Sequence, residues 1–368
     1  MGFNLPNGAD ISEEQLDIIN LPTTKDWVIK GAPGTGKTVM AIYRAGQASQ
    51  TSKGKPVLML VYNNPLMNFL STAVQGNYFK NVKIATYHRW LNDMYQEENW
   101  GAVPKVNKDD FLWDAIARRM ATIGKKYSHI IIDEAQDFPI ELLQILKRIS
   151  DHMTCFIDPN QVIKTGNTDT CEAIKTLCVE APYTLTRNFR NTKPIRDLSA
   201  LYCLNGKPAP SDIPGKKPAI IKCSGGYDDQ NAKMSKIINR NKEKSIGIIV
   251  NPSALNSTFN AMQNSLSDDV KVQMHKPQTH HRIDFDQPGV KILSYGTMKG
   301  LEFDVVLLPN FDQIKTQDDE VVDANRVYVA MSRSVSELYL FYWNERPSYN
   351  KIDTMTALTA HRDLLEWK

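Results

Sequence analysis

One stretch of the sequence combines residue types and spacing that suit phosphate chemistry, and it reads Gly-Ala-Pro-Gly-Thr-Gly-Lys-Thr from residue 31 to residue 38. Glycines let backbone N–H groups face a phosphate, Lys37 can reach the β- and γ-phosphates of a nucleotide, and the Thr38 hydroxyl can ligate Mg²⁺. A short apolar run precedes the stretch and residues with helical spacing follow it, which is the strand–loop–helix context that this motif requires. We therefore predict that a nucleoside triphosphate binds here. The eight residues of this phosphate loop are Gly31, Ala32, Pro33, Gly34, Thr35, Gly36, Lys37 and Thr38.

Acidic residues at the end of another apolar run offer the partner that a phosphate loop needs. Residues 129–132 read His-Ile-Ile-Ile, and Asp-Glu-Ala-Gln-Asp follows at 133–137. Asp133 can hold Mg²⁺ through water, and Glu134 can polarise the water that attacks the γ-phosphate. Because two adjacent carboxylates repel each other unless a cation is nearby, the pair itself favours a metal site. We predict that Thr38 and Asp133 hold Mg²⁺, with Lys37 and Glu134 as catalytic residues.

Four further polar side chains have two interpretations each. Gln15 stands at capping-box distance from Ser12 at the start of a helix, and its carboxamide also matches the donor and acceptor of an adenine edge. Gln161 follows an apolar strand, where it is either an ordinary turn residue or a sensor of the γ-phosphate. Arg190 and Arg333 are either surface charges or cations that a second domain supplies to the γ-phosphate. The residues alone leave these alternatives open.

The end of a third apolar strand carries side chains suited to single-stranded nucleic acid. Tyr87, His88, Arg89 and Trp90 come shortly after the run Val-Lys-Ile-Ala at 82–85. Aromatic rings can stack on bases, and a basic side chain beside them can contact phosphates. The alternative is a loop that packs under a helix and binds nothing.

Composition narrows the class of protein. The chain has 368 residues, of which 42% are hydrophobic and 23% charged, and its formal net charge is +3. This length suits two domains of ordinary size, and so mild a charge does not by itself indicate nucleic-acid binding. No apolar run reaches about 18 residues and the N-terminus lacks the pattern of a secretory signal, so we expect no membrane span and no export. Five cysteines without a Cys-x-x-Cys pair favour reduced thiols in the cytoplasm over disulfides or a zinc site.

Apolar strands alternate with helical segments along the whole chain. This alternation is typical of parallel sheets flanked by helices. The pattern restarts near residue 183, beyond the segments that surround the phosphate loop. We predict an α/β fold of two domains, in which residues 1–181 carry the phosphate loop and the acidic motif and residues 182–368 form a second parallel-sheet domain.

Taken in order, the motifs resemble those of superfamily 1 helicases of the UvrD/Rep type. Three signatures are specific to that group in combination: Asp-Glu-Ala-Gln-Asp at 133–137, Asn-Phe-Arg at 188–190 and Lys-Gly-Leu-Glu-Phe-Asp at 299–304. The resemblance covers nearly the whole chain and extends to Tyr-Val-Ala-Met-Ser-Arg at 328–333. It implies two tandem RecA-like domains, each a mainly parallel sheet flanked by helices, with ATP in a cleft between them.

The resemblance also implies roles for individual residues. It places Gln15 at the adenine, Gly300 and Glu302 at the nucleotide with Glu302 near the ribose, and three residues around the γ-phosphate, namely Gln161, Arg190 and Arg333. It places single-stranded nucleic acid across both domains, in contact with Asn63, Tyr87, His88, Arg89, Trp90 and Ser294.

Two departures from the family pattern lead to two hypotheses about function. No aromatic residue follows Gln161 in Val-Ile-Lys-Thr-Gly at 162–166, where the family has base-stacking side chains, and the insertions that form the family's accessory subdomains are missing. Our first hypothesis is a Mg²⁺-ATP-dependent translocase or helicase on single-stranded nucleic acid, with DNA favoured over RNA and a protein partner such as a nuclease. The second is an ATP-hydrolysing switch subunit that regulates a partner protein with little or no unwinding.

Overall fold

Two parallel β-sheets hold the strands of this chain, one in each of two domains. The structure is a computed structural model and describes residues 11–62, 66–67, 77–107, 110–158, 170–204, 206–275, 283–285, 287–345 and 350–368. The first domain contains residues 11–32 and Gly36–Thr186, and the second contains Pro33–Thr35 and Arg187–Lys368. Each domain has its own sheet flanked by helices, so the predicted α/β architecture of two tandem RecA-like domains is confirmed.

The described part of the first domain alternates strands and helices in the order that the sequence predicts. Its strands are β1 (Trp27–Gly31), β2 (Val57–Val61), β3 (Val82–Thr86), β4 (Tyr127–Ile132), β5 (Ser150–Ile157) and β6 (Tyr183–Leu185). Its helices are α1 (Glu13–Asn20), α2 (Lys37–Thr51), α3 (Tyr87–Glu97), α4 (Trp113–Met120), α5 (Ile140–Ile149) and α6 (Thr170–Leu177).

The order of the strands explains how distant motifs come together. The first sheet runs β3-β2-β4-β5-β1-β6, and every pairing in it is parallel. All five residues of β2 are buried, as expected for a parallel sheet covered on both faces. Because parallel strands end at the same edge of a sheet, the residues that follow β1, β4 and β5 lie near one another.

The core on one face of this sheet includes the buried side of α3. Trp90, Leu91, Met94 and Tyr95 are buried there, in a cluster with residues of β2 and β4. Their i, i+1, i+4, i+5 spacing forms the apolar stripe of an amphipathic helix. The first turn of α3 therefore belongs partly to the core of the domain.

The second domain repeats the architecture with seven described strands. They are β7 (Ala219–Lys222), β8 (Ser245–Val250), β9 (Val272–Met274), β10 (Gly289–Ser294), β11 (Phe303–Leu308), β12 (Ser334–Tyr342) and β13 (Glu366–Trp367). The helices are α7 (Lys193–Ser199), α8 (Gly226–Arg240), α9 (Leu255–Ser265), α10 (Glu320–Met331) and α11 (Met355–Ala360). The sheet order is β13-β7-β12-β11-β8-β10-β9, again with parallel pairings. Among the helices of the described ranges, none has both the length and the apolar character needed to span a membrane.

The strand β6 differs from the sequence interpretation, which placed it at the start of the second domain. It pairs with β1 in the first sheet, with Tyr183 opposite Ile29. Side chains of α1 bind the same segment, because the Tyr183 hydroxyl donates to Asp17 (2.9 Å) and the Thr186 N–H donates to Glu14 (2.9 Å). The first domain thus runs to residue 186, beyond the predicted boundary after residue 181. A three-residue strand carries too short a pattern to show which sheet it joins.

Candidate nucleotide site

The phosphate loop connects β1 to α2 through backbone conformations that favour glycine. Gly36 caps the N-terminus of α2 with φ +87°, and Gly34 has φ +79°. A Cβ atom at Gly36 would also come within 2.5 Å of the Gln15 side-chain nitrogen. The free N–H groups at the start of α2 and the positive end of its dipole make this position suitable for an anion.

Lys37 is the first residue of α2 and its ammonium group is buried. The side chain is 5% exposed, and Nζ donates to the Asp158 carboxylate and to the Ala32 carbonyl oxygen, both at 3.1 Å. Asp158 follows β5 directly and is fully buried. The strand order of the first sheet therefore brings the lysine of the loop against a carboxylate 121 residues away.

Thr38 and Asp133 provide oxygen atoms that fit a divalent cation. The Thr38 hydroxyl donates to Asp133 Oδ2 (2.7 Å), and the Glu134 N–H donates to Oδ1 (3.1 Å). Burial and the neighbouring Glu134 carboxylate raise the pKa of Asp133, whereas the Thr38 hydroxyl and the Lys37 ammonium oppose this increase. A buried carboxylate beside another carboxylate is destabilised when it is ionised, and a bound cation would relieve this. Oxygen ligands of this kind suit a hard cation such as Mg²⁺.

Glu134 is held in one orientation by a side chain to which the sequence reasoning gave no role. Glu134 is 3% exposed and adopts a left-handed backbone conformation with φ +55°. Gln136 Nε2 donates to Glu134 Oε2 (2.5 Å), while its Oε1 accepts from the Asp158 N–H (2.9 Å). Gln136 and Asp158 are thus the two site residues that were missed. Two features of the sequence could have indicated them: Gln136 lies within the acidic motif, and Asp158 directly follows a strand.

Gln15 has the predicted capping role in this structure. The Gln15 N–H donates to the Ser12 hydroxyl (3.3 Å), and the Ser12 N–H donates to Gln15 Oε1 (3.1 Å). The residue is 6% exposed and its side-chain nitrogen lies beside Gly36. Its contact with adenine stays a prediction.

In the second domain, Arg190 and Glu302 form an ion pair with each other. Arg190 Nε lies 2.6 Å from Glu302 Oε2, and the arginine side chain is 18% exposed. The preceding motif residues contact the tip of the phosphate loop, which belongs to the same domain. The Phe189 N–H donates to the Gly34 carbonyl oxygen (2.8 Å), and a Cβ at Gly34 would come within 2.2 Å of Asn188 Oδ1.

Arg333 is buried within the second domain, at 1% exposure. Its guanidinium donates to the carbonyl oxygens of Val329 (3.0 Å) and Leu301 (3.2 Å) and to the Ser332 hydroxyl (3.1 Å). Leu301 follows Gly300, which has φ +78°. In this conformation Arg333 binds the segment that carries Gly300 and Glu302, and its predicted contact with the γ-phosphate stays a prediction.

The structure corrects the expectation that Trp90 stacks on bases. Trp90 is fully buried, and its Nε1 donates to the Tyr127 hydroxyl (3.0 Å). Both faces of the ring therefore pack inside the first domain. The helical spacing of Trp90 with Leu91, Met94 and Tyr95 is the signal that could have shown this.

The remaining predicted nucleic-acid contacts differ in exposure. His88 and Arg89 are exposed in the first turn of α3, whereas Tyr87 is half-buried with its ring 5.5 Å from that of Phe138. Ser294 is 4% exposed and its hydroxyl lies 3.1 Å from Thr297 Oγ1, so it contributes to a turn. Two other predicted residues, Asn63 and Gln161, lie outside the described residues.

In comparisons with known proteins, this chain is similar to a helicase-domain family and to helicases of known structure. The family model described as Schlafen group 3, DNA/RNA helicase domain, matches residues 25–207. No curated protein gives a significant match. Two similar solved structures are the C-terminal domain of a possible DNA helicase from Lactobacillus plantarum WCFS1 and the Arterivirus nonstructural protein 10, a helicase, in complex with DNA.

Both structural likenesses are distant. The bacterial domain is 19% identical, with a TM-score of 0.34, and the alignment covers 48% of this chain and 97% of that one. The viral helicase is 14% identical, with a TM-score of 0.41, and the alignment covers 89% of this chain and 62% of that one. None of the comparisons assigns the chain to the UvrD/Rep group. The family match and the two parallel sheets together identify a helicase-type fold.

Proposed function

We propose that this protein is a Mg²⁺-ATP-dependent translocase or helicase that acts on single-stranded DNA. The observation that carries this proposal is the meeting of Lys37, Thr38, Asp133 and Glu134 at one edge of the first sheet. These four side chains supply a phosphate-binding cation, two magnesium ligands and a general base. The match to a DNA/RNA helicase family model supports nucleic acid as the second ligand.

Each side chain has a distinct part in the proposed hydrolysis. Lys37 binds the β- and γ-phosphates in exchange for part of its present contact with Asp158. Thr38 and Asp133 would hold Mg²⁺, which when bound neutralises charge on the phosphates. Glu134, whose orientation Gln136 fixes, accepts a proton from the attacking water.

Conformational change is the proposed link between hydrolysis and movement. We assign Arg190 and Arg333 to the γ-phosphate and Gln15 to the adenine, as the family resemblance implies. A nucleotide that binds one arrangement of the two domains more tightly than another shifts their populations, and hydrolysis reverses the shift. If the two domains bind the strand tightly in turn as these populations change, the protein moves along the strand.

ATP hydrolysis with and without single-stranded DNA or RNA tests the proposal. Strong stimulation by DNA, lost in Glu134→Gln, is expected. Stimulation by RNA alone would show that the substrate is RNA instead of DNA. ATP hydrolysis that persists in both Lys37→Ala and Glu134→Gln would refute the proposed nucleotide site.

A switch subunit that regulates a partner protein is the second candidate. The burial of Trp90 and Ser294 favours it, because two of the predicted contacts with a strand are unavailable in this conformation. The same assay separates the two candidates, since a switch hydrolyses ATP at a rate indifferent to nucleic acid.

A further inference from the structure

A polar cavity of about 340 Å³ opens in the second domain, and none of the residues assigned to the nucleotide lines it. It lies where β7 and β13 begin, beside β12 and the C-terminal end of α8. Its charged lining consists of Lys216, Lys217, Arg240, Lys368, Glu337 and Glu366, and the ring of Tyr339 completes one side.

Both carboxylates of the cavity already have cationic partners. Glu337 is bound by Lys244 (2.9 Å) and accepts from the Tyr339 hydroxyl (2.6 Å). Glu366 pairs with Lys368 at 3.0 Å. Burial acts to raise the pKa of Glu337, but the hydrogen bond from the Tyr339 hydroxyl and the neighbouring lysines outweigh it, so the pKa is lowered and this carboxylate is negatively charged at neutral pH.

Two cations of the lining have no carboxylate of the described chain within ion-pair distance, and a third has only a long contact with one. Lys216 Nζ is 3.9 Å from Glu337, and its side chain is 81% exposed. Lys217 Nζ donates only to the Asp363 carbonyl oxygen (2.7 Å) among the described residues. Arg240, exposed in the last turn of α8, has no carboxylate of the described chain within ion-pair distance. The cavity therefore has an excess of positive charge.

An excess of lysine and arginine around a concave surface favours a phosphate group over other anions. A guanidinium binds two phosphate oxygens at once, and ammonium groups bind the remaining oxygens as point charges. The bond from Lys217 to a carbonyl oxygen also holds one ammonium group in place before any ligand arrives.

We propose that this cavity binds a phosphate group through Arg240, Lys216 and Lys217, and that the phosphate belongs to the backbone of the single strand on which the protein acts. The assignment to a strand rests on the proposed function, whereas the phosphate site itself does not. A free phosphate compound has the same chemistry and is the alternative source.

Equilibrium binding of a labelled single-stranded oligonucleotide, measured by fluorescence anisotropy at several salt concentrations, tests the site. We expect Arg240→Gln to weaken binding about tenfold and to reduce the salt slope by about 0.7, because one contact with a phosphate of the single strand is lost. Adding Lys217→Gln should weaken binding further. The matched control is Lys236→Gln, which removes an exposed cation from the same helix outside the cavity and should bind as the wild type does. Thermal unfolding checks that each variant is folded.

Titration with pyrophosphate distinguishes the two sources of phosphate. Weakened oligonucleotide binding in Arg240→Gln supports the strand, whereas weakened pyrophosphate binding with unchanged oligonucleotide binding supports a small ligand. Wild-type affinity for both probes in the double variant would overturn the site. An inactive wild-type ATPase would instead refute the proposed function, and the dependence of phosphate binding on Arg240 would still stand.

Discussion

Replacing Lys37 by methionine should destabilise the first domain even when no nucleotide is present. The substitution keeps the length of the side chain and removes the ammonium group that lies 3.1 Å from the fully buried Asp158 carboxylate. At an effective dielectric constant of about 20, two unit charges at that distance attract by about 5 kcal/mol. Removing one member of a buried ion pair typically costs about 3–5 kcal/mol, because the remaining charge is still buried and has lost the attraction of the opposite charge. We expect a loss of that size in the free energy of unfolding.

Hydrogen exchange during urea titration is the appropriate assay, because a chain of two domains need not unfold in one step. Peptides from β1 and β5 report the first domain, and the Asp158→Asn variant completes a double-mutant cycle with Lys37→Met. We expect a coupling energy of about 2 kcal/mol or more. Lys55→Met is the control, since Lys55 and Asp151 form an exposed pair at 2.8 Å whose loss should cost less than about 1 kcal/mol. A coupling energy below about 0.5 kcal/mol for Lys37 and Asp158 would refute the reasoning.

Three other predictions follow from buried side chains of the same domain. Gln136→Leu should lower kcat by about 10²-fold and change the KM for ATP little, because Glu134 loses the bond that orients it; steady-state kinetics with equal kcat would contradict this. Trp90→Ala should cost about 3–5 kcal/mol of stability in urea, while the folded fraction binds oligonucleotide with unchanged affinity in anisotropy titrations. His129 has its pKa lowered to about 3, mainly by burial. Its contribution to stability is therefore complete above the unfolded pKa of about 6.5 and is lost as the pH falls from there toward 3, by at most about 1.4 kcal/mol per unit. Urea titrations from pH 7 to pH 4 should show a smaller pH dependence in His129→Gln.

The sequence predicted those parts of the site that are encoded by short runs of consecutive residues. The phosphate loop and the acidic motif each occupy fewer than ten consecutive residues, and an apolar run before each shows that it follows a strand. The alternation of strands and helices likewise predicted both sheets. Such patterns are contained within a short window of sequence, so no knowledge of distant contacts is needed to interpret them.

Contacts between distant segments could not be predicted in the same way. The pairing of Lys37 with Asp158 depends on β1 and β5 being neighbours, and no property of either residue indicates that order. The burial of Trp90 was partly visible in the spacing of α3, but its bond to Tyr127 joins residues 37 apart. For the same reason, the sequence did not show that β6 belongs to the first domain. Its pairing partner is β1, which is distant in the sequence.

The amide of Gln136 has one donor end and one acceptor end, and each end has a fixed partner in the first domain. Its nitrogen binds the Glu134 carboxylate and its oxygen binds the peptide N–H of Asp158. Turning the amide by 180° would set oxygen against oxygen and nitrogen against nitrogen, so one rotamer satisfies both. Any displacement of the peptide at the end of β5 is consequently transmitted to the Glu134 carboxylate through a single rigid group. The orientation of the Glu134 carboxylate thereby depends on the position of that strand.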